Sequence, residues 1–179
     1  KDLMTTGYII LPILGGIAPD GSGTVNNPAT PEKVVSSGTQ TTNSPKASYI
    51  QLLFDPTTDE HWMWAFDLPA NYASGGLLRG KITNKGTSAN GVTMKGATAI
   101  SIPGTTDKDA IVFDTVVTAN VTPSTTIGIE TEFTLTLTMT NAAASYPIIL
   151  MVGRDPDNAS DTNASDMALT GLVFEYTTT

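Results

Sequence analysis

Cysteine is absent from the 179 residues, and histidine occurs once, as His61. These absences remove disulfides, thiolate nucleophiles, thiolate zinc centres and any zinc site that needs two imidazoles. Arginine is nearly as scarce. Arg79 and Arg154 are the only two, and nine basic residues face 17 acidic ones, giving a net charge of −8. Without a basic stripe nothing can neutralise a run of phosphates, so nucleic acid is excluded as a partner. Long apolar runs are missing as well. The run Tyr8 to Leu14 is broken by Pro12 and stopped by Gly15-Gly16, far short of the roughly 20 residues that span a bilayer. It reads as a strand rather than the apolar centre of a signal peptide, and no membrane partner is expected. The lack of cysteine fits a cytosolic assembly or a bacterial or viral exterior equally.

What the chain has in quantity is threonine, 30 residues of it, often alternating with apolar side chains. That combination suits strands with one face in water. A chain of 18.7 kDa hides roughly 70% of its unfolded surface on folding, enough for one core without covalent staples. Residues 15–48 carry Gly21-Ser22-Gly23, Asn26-Asn27-Pro28 and Thr41-Thr42-Asn43-Ser44-Pro45, a composition too poor in apolar side chains to order itself. From Tyr49 the strand signals are dense. Tyr49 to Phe54 closes on Asp55-Pro56; Trp62, Trp64, Phe66 and Leu68 share one face in period two. Leu77 to Thr83 follows a Ser74-Gly75-Gly76 turn, and Val92 to Ala97 follows Asn90-Gly91, a hairpin signal. Ala110 to Val121 alternates less cleanly, which suggests a bulge. Ile127, Ile129, Phe133, Leu135, Leu137 and Met139 oppose a row of threonines, and Tyr146 to Val152 and Ala168 to Tyr176 complete the set. These make about eight strands, nine with Tyr8 to Leu14, and no helix. The expected fold is all-β: an antiparallel, jelly-roll-like β-sandwich over 49–179, preceded by an N-terminal strand and extended arm over 1–48.

Chemistry is sparse. His61 sits in Asp59-Glu60-His61-Trp62, where a carboxylate can orient an imidazole, but no Gly-x-Ser-x-Gly elbow accompanies it. No set of acids points to a glycosidic mechanism over simple solubility. No catalytic residue and no cofactor is expected, and the chain reads as a non-enzyme. The most suggestive stretch is Asp155 to Asp166, where Asp155, Asp157, Asp161 and Asp166 stand at positions 1, 3, 7 and 12 of a calcium-type loop. Ser160 replaces its glycine and Asp166 its glutamate, so an ordinary loop of Asx turns is the stronger expectation. Trp62, Trp64 and Tyr72 are the aromatics available for a sugar platform, although the alternation puts both tryptophans on the core face.

Thr58-Asp59-Glu60-His61-Trp62, Leu68-Pro69-Ala70-Asn71-Tyr72-Ala73-Ser74-Gly75-Gly76, Arg154-Asp155-Pro156-Asp157-Asn158 and Val173-Phe174-Glu175-Tyr176-Thr177 resemble stretches of small β-sandwich proteins of tailed phages and environmental viral genomes. These are virion structural proteins of the capsid-decoration or tail and fibre type. The similarity runs from about Ser44 to Thr179. It implies a structural subunit of a virus particle that works through subunit contacts. Its partners would be copies of itself, as in a symmetric trimer, and a major capsid or tail protein. In that reading Tyr8, Ile9, Ile10, Leu11, Ile13 and Leu14, with the arm up to Ser48, form the interface. Two alternatives stand beside it. One is a self-polymerising extracellular filament, in which Tyr8 to Leu14 completes the next protomer's sheet. The other is a carbohydrate- or receptor-binding module with exposed aromatics near Tyr72.

Overall fold

The computed structural model describes residues 5–179, so the first four residues of the expected arm lie outside the described residues. Eleven strands follow in order: β1 Thr6–Ile10, β2 Asn27–Pro28, β3 Thr30–Val35, β4 Ser48–Phe54, β5 Glu60–Asp67, β6 Tyr72–Asn84, β7 Val92–Ile100, β8 Val117–Val121, β9 Thr131–Thr136, β10 Pro147–Arg154 and β11 Met167–Thr178. Two short 3-10 turns, Ile13–Gly15 and Lys108–Ala110, interrupt the connections. One sheet has the order β3-β4-β11-β6-β9, with β1 also on β11; the other runs β2-β5-β10-β7-β8. Stripped of β1 to β3, these are two four-stranded sheets between which the chain crosses repeatedly. This is the eight-stranded jelly roll that the strand count implies. Below, the β11-containing sheet is the first sheet and the β10-containing sheet the second.

Alternation decides the core. Leu52 and Phe54, Leu78 and Ile82, Leu135, Met167 and Phe174 point inward from the first sheet. Trp64, Met94, Ile148 and Leu150 answer them from the second. Each such side chain contributes about 1.5–3 kcal/mol by leaving water. As the period-two reading requires, Trp62, Trp64 and Leu68 are buried, and Phe66 meets the Phe174 ring edge-on at 5.6 Å.

Local signals mislead where tertiary pairing overrides them. Ser74-Gly75-Gly76 lies inside β6 and makes no turn. Leu77 pairs with Glu175 and Ser74 with Thr177, so Gly75 and Gly76 together oppose Tyr176, and Gly75 takes φ 75° to form this bulge. Asn90-Gly91 does not close a hairpin, because β6 and β7 belong to different sheets. The Gly91 carbonyl instead accepts from the backbone N–H groups of Thr162 and Asn163 at 3.0 and 3.1 Å. Of Ala110 to Val121 only β8 is strand, and residues 101–116 form a long connection lying against the second sheet. Ile127 and Ile129 precede β9 and are exposed.

The N-terminal region is more built in than its composition suggests. β1 pairs with β11 of its own chain, Tyr8 opposite Glu175 and Ile10 opposite Val173. The chain then crosses to the second sheet, where Ile17 and Met63 exchange backbone hydrogen bonds. The Trp64 indole N–H donates to the Pro12 carbonyl at 2.9 Å. Gly16 passes so close to the Trp62 ring that a Cβ there would overlap it. β2 adds in parallel to β5, and β3 adds antiparallel to β4. Backbone pairing, which needs no apolar side chain, orders this polar segment.

Candidate functional site

A concavity of about 600 Å³ forms an open groove across the outer face of the first sheet. Its composition follows from register. Tyr8 lies opposite Glu175; Ile10, Val173, Arg79 and Thr134 form the next rung; Gly171, Lys81 and Glu132 form another. Arg79 and Lys81 of β6 and Gly171, Val173 and Glu175 of β11 therefore project to the same side as the even-numbered residues of β1 and β9. Gly171 leaves the floor low.

Charges in the groove are matched. Arg79 Nε donates to Glu175 Oε1 at 2.6 Å, and Lys81 Nζ lies 3.4 Å from Glu130 Oε2. The hydrogen bond from Arg79 to Glu175, and the charge of that carboxylate, raise the guanidinium's pKa above its ordinary value, so it stays cationic at any working pH. Thr170 Oγ1 donates to Glu130 Oε1 at 2.7 Å and fixes that carboxylate from the other side. Glu132 adds a further negative charge to the groove. At the edge of this polar field stands the Tyr8 ring, 63% exposed, with Ile10 beside it at 76%.

The residues singled out from sequence are distributed as follows. Of the expected interface set, Tyr8, Ile10 and Leu14 are exposed, Ile9 and Ile13 pack partly against the core, and Leu11 is buried. The strand thus presents alternate side chains outward while its other face belongs to its own sandwich. Trp62, Trp64 and Tyr72 are core residues, Tyr72 lying against Tyr176 with ring centroids 5.9 Å apart, so they form no platform. His61 is buried and burial pushes its pKa down, with Lys95 acting in the same direction.

The four acids of the calcium-type spacing do not converge. Asp161 turns inward to Arg154, which donates from Nε to Oδ2 at 2.9 Å and from Nη2 to Oδ1 at 2.7 Å. Both side chains are essentially buried, and the Arg154 guanidinium also donates to the carbonyls of Asn163 and Ser165. An arginine fork thus gathers the oxygens of this loop. Asp155 caps a local turn, and Asp157 is exposed. Among the described residues no three of His, Asp and Glu gather as a metal site.

Sequence reasoning passed over Arg79, Lys81, Glu130, Glu132 and Glu175. Arg79-x-Lys81 and Glu130-x-Glu132 do show the two-residue spacing of one strand face, but only the register of β6 with β9 and β11 makes them neighbours.

No protein-family model matches this chain, and no curated protein matches it. Among solved structures it is similar to the isomaltodextranase of Arthrobacter globiformis T6 in complex with panose, at 10% identity and a TM-score of 0.47. That match covers 94% of this chain and 23% of the enzyme, so the chain spans about a quarter of its length. It is also similar to the family 11 carbohydrate-binding module of Clostridium thermocellum in complex with a mixed-linked β-1,3-1,4 tetrasaccharide, at 14% identity and a TM-score of 0.41 over 94% of this chain and 95% of the module. A third is the carbohydrate esterase vb_24B_21 of the Shiga toxin-encoding bacteriophage phi24B, at 12% identity and a TM-score of 0.29 over 93% and 99% of the two chains.

Proposed function

We propose that the chain is a non-catalytic β-sandwich binding module that takes a hydroxyl-rich, carbohydrate-type ligand along the groove of the first sheet. The observation that carries this reading is the exposed Tyr8 ring directly opposite Glu175 and next to the Arg79–Glu175 pair. A pyranose offers an apolar C–H face and a rim of hydroxyls, and such a ligand needs an exposed aromatic face beside charged hydrogen-bonding groups. Pairing holds the arginine and glutamate in place before a ligand arrives, which lowers the ordering cost of binding. Titration of soluble neutral oligosaccharides, α- and β-linked glucans included, tests it. Saturable binding should fall at least tenfold in Tyr8→Ala with an unchanged melting temperature, since the side chain is exposed. Silence across the panel, or a Tyr8→Ala protein that binds as well as the parent, overturns the reading.

A second reading, the structural subunit of a virus particle, is supported by one further observation. Ile10, Leu14 and Ile17 are at least 59% exposed along the first strand and the crossing that follows, and among the described residues β1 is paired on one edge alone. Subunit contacts on this edge would cover both features. Ile10→Asp should then abolish a homo-oligomer seen by light scattering; a parent chain that stays monomeric at high concentration counts against it.

A further inference from the structure

We infer that the outer face of the second sheet holds a separate small-molecule pocket, built around His61, Lys95 and Asp155, that accepts a small organic amine with an apolar body. The pocket, about 380 Å³, lies on the far side of the sandwich from the Tyr8 groove and is bordered by the connection after β7 and by part of the N-terminal region. That volume falls in the lower part of the range of small-molecule sites. Register explains its floor: His61 lies opposite Gly153, and Gly153 opposite Lys95. A Cβ on Gly153 would collide with the Glu60 carbonyl and the His61 Cβ, so the glycine is what lets β5 and β10 approach here. Phe113 and Met151 supply apolar wall.

The polar part of the pocket is well buried. His61 is 6% exposed and lies beside the charges of Lys95 and Asp59. Lys95 Nζ sits 3.0 Å from Asp59 Oδ1, both side chains nearly enclosed, yet Asp59 Oδ1 accepts no well-directed hydrogen bond. Buried polar groups in folded proteins are nearly always satisfied, so a buried carboxylate oxygen held by an ion pair alone, beside an open cavity, leaves a place for a ligand's donor. The charges define its class. Lys95 offsets Asp59, His61 is neutral, and Asp155 leaves the pocket with one net negative charge. An anion would have to displace Asp59 from Lys95. An ammonium brings three donors to an acceptor-rich rim while its hydrocarbon part lies on Phe113 and Met151.

The test uses the full chain and three probes of one shape: benzylamine, benzyl alcohol and phenylacetate, followed by amide NMR shifts at neutral pH. Benzylamine should move the amides of His61, Lys95 and Phe113 saturably, more tightly than benzyl alcohol, with phenylacetate without effect. Asp155→Asn should weaken benzylamine about tenfold, whereas Asp157→Asn, exposed on the same loop, and Tyr8→Ala, in the other groove, should leave it unchanged. Unchanged melting temperatures for the three variants exclude misfolding as the cause. Equal or tighter binding of phenylacetate, absence of any saturable amine shift, or an Asp155→Asn protein that binds as the parent does would each overturn the assignment.

Discussion

The two outer faces of the sandwich are built from the same alternating strands, yet they end up chemically opposite. The face of the first sheet is open, and in its pairs Arg79–Glu175 and Lys81–Glu130 every member but Glu175 is about half exposed. That of the second is partly roofed by residues 101–116 and by the N-terminal crossing, so His61, Lys95 and Asp59 are nearly enclosed there. Strand period fixes which side chains leave the core, but connections decide whether those side chains meet water or a roof. A long β7–β8 connection lies on one face, and a bare β1 edge borders the other. The same contrast governs energetics. A charge pair in water is screened and cheap to lose; a pair under cover, once broken, leaves its partner stranded.

The sharpest way to break this contrast is at Arg154, the last residue of β10, fully buried with Asp161. Arg154→Met should cost about 3–5 kcal/mol, because it removes four hydrogen bonds and leaves the Asp161 carboxylate buried without a counter-charge. Chemical denaturation measures it. The double variant Arg154→Met with Asp161→Leu should recover much of the loss, since no charge is then stranded. A single variant that loses less than about 1 kcal/mol would mean that this pair behaves like a surface pair, and the contrast between open and enclosed pairs would fail.

The Arg154–Asp161 pair also marks the boundary of what is legible in the sequence. The jelly roll itself is legible because Trp62-x-Trp64-x-Phe66-x-Leu68 and Phe133-x-Leu135-x-Leu137 carry the strand period in their own order. The acids of 155–166 stand out as a cluster with the spacing of a cation loop, but spacing does not say what they turn toward. Arg154, directly before them in sequence, is the cation that Asp161 meets. Asn90-Gly91 misleads for a related reason, since its local turn preference is outweighed by a chain that changes sheets there. The Tyr8 groove is half legible. The apolar N-terminal strand stands out, but its neighbours Arg79 and Glu175 come from strands far along the chain, and only pairing register brings them to it.

A smaller effect on stability should follow from the enclosed face when pH is lowered. Burial first, and the Lys95 charge second, hold the His61 pKa below its ordinary 6.5, against the weaker pull of Asp59. The unfolded chain therefore takes up a proton near pH 6.5 that the folded chain refuses. The stability that His61 contributes is complete above that pH and is lost as pH falls from 6.5 toward the folded-state value. Melting temperatures measured from about pH 7.5 to about pH 5.5 should decline, with a smaller decline in His61→Gln, which has no proton to take up. Carboxylates with lowered pKa values, Asp55 and Asp114 among them, lose their contribution only below their ordinary value of 3.8, so they stay outside this window. Identical slopes in the parent and His61→Gln would show that the histidine is as solvated as the charges of the open face.

On that open face the smallest stability change is expected, and there it is the most informative. Arg79 is half exposed and its partner Glu175 largely covered. Water replaces the guanidinium once it is removed, so Arg79→Gln should leave the melting temperature within error of the parent. Ligand affinity should respond differently. If the groove takes a hydroxyl-rich ligand, the shorter amide side chain of this variant keeps a donor group but loses the fork and the charge, and binding should weaken severalfold while folding is untouched. A variant that melts several degrees lower would instead make Arg79 a structural residue of the first sheet, and the Arg79–Glu175 pair would then resemble the buried Arg154–Asp161 pair more than an open binding surface.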